Sequence, residues 1–164
     1  MIDEIRRIAL FLVFVLAQVL VLNHIHLFGC ATPLLYVYFI ILFPRNYARW
    51  ALLLWAFAMG LTVDIFSNTP GMASASLTLT ALIHPYFLSL FVNREAADNL
   101  QPGIHTLGPV KFAYFAAVLI LIHCLCFFTL EAFSFLNGLH WLGCVAGSFL
   151  LTFVLTYVID NLRK

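Results

Sequence analysis

Charged side chains are scarce in this sequence. Asp, Glu, Lys and Arg together make up 9% of the 164 residues, whereas hydrophobic residues make up 64%. A soluble domain usually carries about 25% charged residues, and a soluble fold of this length could not bury so much apolar surface. The shortage of charge therefore excludes an ordinary soluble domain and predicts that much of the surface faces lipid.

Motifs that carry chemistry are also missing. The sequence has no nucleophile elbow, no HExxH and no phosphate loop. Its cysteines are Cys30, Cys124, Cys126 and Cys144. They form no CxxC pair, which argues against a zinc or redox motif. We therefore predict a protein that is not an enzyme, with no cofactor and no metal site, and leave a disulfide between Cys30 and Cys144 open.

Long apolar runs dominate what is present. A helix that crosses a bilayer needs about 20 predominantly apolar residues. Breaks at polar, Gly and Pro residues predict six such helices, over residues 5–22, 27–43, 50–66, 70–91, 111–130 and 141–159. We interpret residues 1–164 as a single all-α transmembrane domain, a bundle of six helices. The first run is interpreted as a retained helix rather than as a cleaved signal peptide.

The positive charges all fall on one predicted side of the membrane. Lys and Arg gather in short cytoplasmic loops. With the N-terminus inside, the inner segments contain all eight cations: Arg6, Arg7, Arg45, Arg49, Arg94, Lys111, Arg163 and Lys164. The outer segments near residues 23–31, 67–71 and 131–140 contain none. This distribution predicts that both termini are cytoplasmic, and it supports the count of six helices.

Small residues predict where the helices approach closely, because they let two backbones touch. Ala56 and Gly60 are one turn apart on the third predicted helix. The fourth predicted helix is richer still in Ala, Ser and Thr, so we expect it to be central. No predicted helix has a strongly polar face, which argues against a water-filled channel with a charged lining.

Asp64 lies in an apolar stretch near the outer end of the third predicted helix. A carboxylate at the centre of a bilayer costs about 2.5–3.5 kcal/mol on insertion scales, so it is usually paired or functional. Three interpretations are open. Asp64 accepts hydrogen bonds from the start of the fourth helix, where Thr69-Pro70 resembles an N-cap; it pairs with a basic residue of another protein; or it is protonated. Gly60, Asp64 and Ser67 share one helix face.

The histidines are scattered. His123 lies in the middle of the fifth predicted helix and is expected to hydrogen-bond across the bundle. His84 precedes Pro85, and its ring is expected to fill the backbone gap that a proline leaves. Three others lie near the outer face: His24, His26 and His140. We interpret these three as interfacial polar residues rather than as a metal site.

A family resemblance appears around Asp64. The stretch Gly60-Leu61-Thr62-Val63-Asp64-Ile65-Phe66-Ser67, followed by Gly71, resembles the signature of the bacterial rod shape-determining protein MreD family. That signature is a Gly-Leu-x-x-Asp-x-x-Ser pattern with a glycine that opens the next helix. Pro33 is similar to the family's proline near the start of its second helix. Length, helix count and topology fit over nearly the whole chain, although the second half carries no matching residues.

The resemblance implies a non-enzymatic scaffold of the cell-elongation machinery, which controls cell shape through peptidoglycan synthesis at the bacterial inner membrane. The implied partners are an MreC-like membrane protein and, indirectly, MreB filaments, the RodA glycan polymerase and a penicillin-binding transpeptidase. A homodimer is also compatible with it. The residues carried over are Pro33, Gly60, Asp64, Ser67 and Gly71. Pro85 and His123 are secondary candidates.

An alternative function follows from the same resemblance. The family's fold is similar to that of the substrate-binding S-components of energy-coupling-factor transporters, which bind small vitamins. Such a subunit needs polar groups that converge on an outer pocket. The outer segments offer only His24, His26, Asn68, Glu131, Asn137 and His140. This set is thin and unfocused in the sequence, so we favour the scaffold.

Overall fold

The computed structural model describes residues 2–25, 29, 31–92, 100–132 and 137–163. Helix α1 (Ile2–Leu16) continues through a π-helical turn (Ala17–Val21) and a 3₁₀ turn (Leu22–His24). The other helices are α2 (Val37–Ile41), α3 (Arg49–Ser67), α4 (Met72–Phe91), α5 (Ile104–Leu107), α6 (Pro109–Ala132) and α7 (Gly138–Leu162). In this described part, five helices are long and apolar enough to cross a membrane, which indicates a multi-pass membrane protein.

Helix α4 lies at the centre of the bundle. It packs against α3 on one side, against α6 on another and against the short helix α2, while α6 packs in turn against α7. A Cβ atom added at Gly60 of α3 would lie 2.4 Å from the Cα atom of Ser74 in α4. The backbones of α3 and α4 therefore touch at Gly60. Both the close approach expected from Ala56 and Gly60 and the central position of the fourth predicted helix are confirmed.

The second predicted helix is the main departure from expectation. Residues 31–36 are not helical, and only Val37–Ile41 forms an α-helix. The prediction of one helix over 27–43 is therefore wrong for residues 31–36 and confirmed for Val37–Ile41; residues 27, 28 and 30 lie outside the described part. Every residue of 33–43 is buried. We call residues 31–43 the buried segment. They are apolar because protein surrounds them. An apolar run alone does not distinguish a segment buried in protein from a helix that spans the membrane.

Side chains of α7 satisfy the backbone of the buried segment. The Thr32 N–H donates to Ser148 Oγ at 3.0 Å, and the Leu34 N–H donates to Thr152 Oγ1 at 2.9 Å. Non-helical backbone at membrane depth is tolerated only where protein or a water-filled cavity supplies partners for its polar groups. These hydroxyls supply them here.

Gln18 holds the buried segment from the opposite side. This residue is fully buried in the π-helical turn that follows α1. Its Oε1 accepts the N–H of Leu35 at 3.0 Å, and its Nε2 donates to the carbonyl oxygen of Pro33 at 3.0 Å. The non-helical backbone is thus clamped between α1 and α7.

A buried polar row runs along α7. Its members are four residues apart and share one helix face: Ser148, Thr152, Thr156 and Asp160. The prediction that no helix has a strongly polar face is therefore wrong for α7. Asp160 accepts the Tyr38 hydroxyl at 2.6 Å and the Ile104 N–H at 2.6 Å. The row therefore faces protein rather than the lining of a channel.

The start of α1 and the end of α7 lie at the same end of the bundle. Arg7 and Arg163 line one groove there, and the Arg7 guanidinium lies 4.3 Å from the centre of the Tyr47 ring, just before α3 begins. We call this the basic end. The buried segment runs towards it from the opposite end, since Thr32 bonds Ser148 whereas Tyr38 bonds Asp160. The expected six helices thus become five long helices plus this segment.

Candidate functional site

Asp64 lies near the C-terminal end of α3 and is only 4% exposed. Its Oδ1 accepts the N–H of Ala73 and its Oδ2 accepts the N–H of Ser74, both at 2.9 Å. The Thr69 hydroxyl donates to Oδ1 at 2.8 Å. The first N–H groups of any helix lack partners within the helix, and the helix dipole favours a negative charge beside them. Of the three interpretations of Asp64, the structure shows the one in which its carboxylate accepts hydrogen bonds from the start of α4.

The start of α4 differs from the expected cap. The helix begins at Met72 with Gly71 as its N-cap, so the interpretation of Thr69-Pro70 as the helix start is wrong. Thr69 bonds Asp64 instead. Gly71 has a φ of 79°, a left-handed conformation that glycine adopts without a Cβ clash. The left-handed backbone conformation at this position therefore explains the glycine of the MreD-like pattern.

A hydrogen-bonded chain connects Ser67 to Pro33. The Asn23 Nδ2 donates to Ser67 Oγ at 2.6 Å. The Gln18 Nε2 donates both to Asn23 Oδ1 and to the Pro33 carbonyl, each at 3.0 Å. The structure thus links the two parts of the MreD-like pattern, which are far apart in the sequence. Sequence reasoning missed Gln18 and Asn23, although a Gln inside an apolar run was an available signal.

His123 connects three parts of the bundle. It is fully buried in α6. Its Nε2 lies 2.9 Å from the Tyr36 hydroxyl of the buried segment, and its Nδ1 lies 3.5 Å from Thr80 Oγ1 of α4. The prediction that His123 hydrogen-bonds across the bundle is confirmed.

His84 does not serve Pro85 as expected. Its ring lies near the backbone of Ile41 in the buried segment, and in the described part of the chain its buried Nε2 has no hydrogen-bond partner. It also packs edge-on against Phe115, with ring centres 5.5 Å apart. Helix α4 continues through Pro85 to Phe91. The expectation that His84 fills the gap left by the proline is therefore wrong, because the ring reaches the buried segment instead.

A cavity of about 820 Å³ lies at the end of the bundle opposite the basic end. Its polar lining includes Asn23, His24, Ser67, Glu131, Asn137 and His140. Of the outer polar residues that formed an unfocused set in the sequence, four line this cavity: His24, Glu131, Asn137 and His140. Asn68 is not among the lining residues, and His26 lies outside the described residues. We call this space the outer cavity, and its volume is typical of a small-molecule site.

The outer cavity also has an aromatic lining, made of Tyr36, Phe66, Phe127, Phe128 and Trp141. Ser67 and Thr69 place the Asp64 junction in its wall. Tyr36 joins the cavity to the interior through its hydrogen bond with His123. The cavity and the MreD-like pattern are therefore parts of one site.

The described residues contain no group of three His, Cys, Asp or Glu that could hold a metal ion. The Cys144 thiol lies 3.6 Å from the Nε2 of His140 in the cavity wall. His26 and Cys30 lie outside the described residues. A site built from the three outer histidines, and a disulfide between Cys30 and Cys144, therefore stay untested.

Comparisons with known proteins found no relative: no family model matches the chain, and neither a curated protein nor a solved structure matches it.

Proposed function

We propose that this chain is a non-enzymatic membrane scaffold of the bacterial cell-elongation machinery, which controls cell shape through peptidoglycan synthesis. The observation that carries the proposal is the junction of α3 and α4. There Gly60, Asp64, Ser67 and Gly71 resemble the MreD signature, and each of them has a structural role. The partners we propose are an MreC-like membrane protein and, through it, MreB filaments, RodA and a penicillin-binding transpeptidase.

The geometry of Asp64 supports a structural role for the motif. A catalytic carboxylate keeps an oxygen directed at its substrate. Both oxygens of Asp64 instead accept backbone N–H groups of α4, and the side chain is buried. The same burial argues against a direct salt bridge between Asp64 and a partner protein. We propose that the motif fixes the helices whose outer surfaces contact the partner.

The placement of the cations supports an orientation. The basic end is marked by Arg7 and Arg163, and Tyr47 lies beside Arg7. Cytoplasmic segments carry the excess of Lys and Arg. We therefore propose that the basic end is cytoplasmic, that both termini lie there, and that the outer cavity faces away from the cytoplasm of a bacterial inner membrane. In this arrangement the buried segment serves as the sixth crossing.

Affinity purification of the tagged chain from solubilised membranes tests the scaffold. We expect an MreC-like coiled-coil protein to co-purify in stoichiometric amount. Asp64→Asn should lower the yield of complex only in proportion to the loss of folded chain, and Asp3→Asn, an exposed carboxylate of α1, serves as the matched control. Recovery of a transporter ATPase module instead of that partner would contradict the proposal.

The outer cavity favours a second candidate function, a small-molecule-binding subunit similar to the S-components. The specific observation is the convergence of His24, Glu131, Asn137 and His140 on one space of about 820 Å³. A stoichiometric small molecule in the purified chain, together with a co-purified ATPase module, would support this candidate over the scaffold.

A further inference from the structure

The wall of the outer cavity has an unusual balance of charge. Among the described residues, its lining contains the carboxylate of Glu131 and no Lys or Arg. Nor do the outer segments near residues 23–31, 67–71 and 131–140 contain a cation. A bound phosphate or carboxylate would meet no Lys or Arg among the described lining residues and would be repelled by Glu131. The electrostatics of the cavity therefore disfavour an anionic ligand.

The aromatic rings of the wall favour a cationic ligand. The faces of Trp, Tyr and Phe rings carry negative potential and attract ammonium groups, most strongly in the case of Trp. Trp141, Tyr36 and Phe127 all line the cavity, and Glu131 lies in the same wall. Rings combined with a carboxylate form a typical environment for an organic ammonium ion.

The polar lining argues against an acyl chain as the natural occupant. His24, Asn137 and His140 line the same space as the rings. A hydrocarbon chain would remove these groups from water without offering hydrogen bonds, which is unfavourable. A ligand with a polar or charged group and an apolar body matches both the polar and the aromatic residues of the wall.

We infer that the outer cavity binds a small organic cation, an amine or a quaternary ammonium compound, with its charged group held between Glu131 and the aromatic rings of the wall. This inference rests on the second candidate function, because it requires that the cavity holds a small molecule. It is independent of whether the chain also acts as a scaffold.

Three probes of nearly equal shape test the inference. They are benzyltrimethylammonium, its uncharged isostere neopentylbenzene, and the anion phenylmethanesulfonate. Each is titrated into the full-length chain in dodecyl maltoside, an uncharged detergent, and the heat is corrected with empty micelles. We expect saturable one-site binding for the ammonium probe, and affinities at least about tenfold weaker for the other two, since they lack a charge-assisted contact.

Variants identify the site of binding. Glu131→Gln should weaken binding of the ammonium probe by about tenfold, since it removes the charge and keeps the shape. Glu4→Gln, a carboxylate at the basic end that pairs with Arg7, should leave the affinity unchanged. Trp141→Leu provides a second test if Glu131→Gln proves poorly folded, and it should weaken the ammonium probe more than neopentylbenzene.

The outcomes separate the two levels of the argument. If neopentylbenzene or the sulfonate binds as tightly as the ammonium probe, the inference of a cation is wrong and the small-molecule function survives. If no probe saturates, the inference fails, whereas the second candidate function is decided separately by whether a small molecule and an ATPase module co-purify, and the scaffold proposal is unaffected. Equal binding by wild type, Glu131→Gln and Trp141→Leu would place the probe outside this cavity and overturn the inference.

Discussion

The N–H of Leu34 donates a hydrogen bond to the Thr152 hydroxyl at 2.9 Å, across 118 residues of sequence. A helical backbone would have satisfied this N–H within its own segment. Because residues 31–36 are not helical, α7 supplies the acceptor instead. The bond therefore joins the least regular part of the fold to one of its longest helices.

Thr152→Val tests how much this bond stabilises the chain. The substitution leaves the buried Leu34 N–H without an acceptor, and we expect the free energy of unfolding to fall by about 1–2 kcal/mol. Unfolding by SDS titration from mild detergent measures the change. Thr156→Val is the matched control, since in the described part of the chain the buried Thr156 hydroxyl has no hydrogen-bond partner. Equal effects of the two substitutions would rule out a specific role for the bond.

Gly60→Ala tests the contact between α3 and α4. The added Cβ would lie within 2.8 Å of backbone atoms of Ala73 and Ser74, so the helices must move apart. Overpacking of this kind typically costs about 1–3 kcal/mol. Gly143→Ala is the control, because no atom of the described residues lies within 4 Å of a Cβ at Gly143 of α7. We expect a lower thermal midpoint for the first variant and an equal or higher one for the second.

Asp64→Asn tests the cap at the start of α4. The amide has one acceptor oxygen, and its NH₂ group would face a backbone N–H of Ala73 or Ser74. We expect normal membrane insertion and a loss of roughly 1–3 kcal/mol in stability, the usual cost of leaving a buried donor unpaired. Asp3→Asn should have little effect, because Asp3 is exposed. Wild-type stability of Asp64→Asn would show that the carboxylate charge is dispensable.

A double-mutant cycle tests the contact between Tyr36 and His123. Their polar atoms lie 2.9 Å apart in a fully buried setting. We expect Tyr36→Phe and His123→Phe to couple by about 0.5–2 kcal/mol in unfolding measurements, as residues in direct contact usually do. A control cycle pairs Tyr36→Phe with Thr78→Val. Among the described residues, the Thr78 hydroxyl donates within α4 to the Ser74 carbonyl oxygen. Additive effects in the first cycle would show that the contact contributes nothing to stability.

The hydrogen bonds from the start of α4 to Asp64 could be anticipated as one of three interpretations, because they depend on residues that are close in the sequence. An acidic residue at the end of one apolar run, close in sequence to the start of the next, has helix N–H groups within reach. The details of that helix start could not be predicted. The left-handed backbone of Gly71 moves it two residues beyond Thr69-Pro70, and only the packed structure shows this.

The outer cavity could not be predicted because its residues come from separate parts of the chain. His24 follows α1, Glu131 ends α6 and His140 begins α7. Their convergence depends on how the helices pack, which periodicity does not encode. Gln18 was missed for a similar reason. Its partners are the Pro33 carbonyl and the Leu35 N–H, which need a side-chain partner because residues 31–36 are not helical, whereas a helix was expected there.

The sequence by itself determined the membrane character of this chain and marked Asp64 as a carboxylate inside an apolar stretch. These properties follow from transfer free energies, which depend on local composition. Only the tertiary structure decided that residues 31–36 are non-helical, that α7 carries a polar row, and that the outer polar residues surround a cavity. An apolar run has a low energy both as a helix in lipid and as a segment inside protein. The hydrogen bonds offered by Gln18, Ser148 and Thr152 select the second.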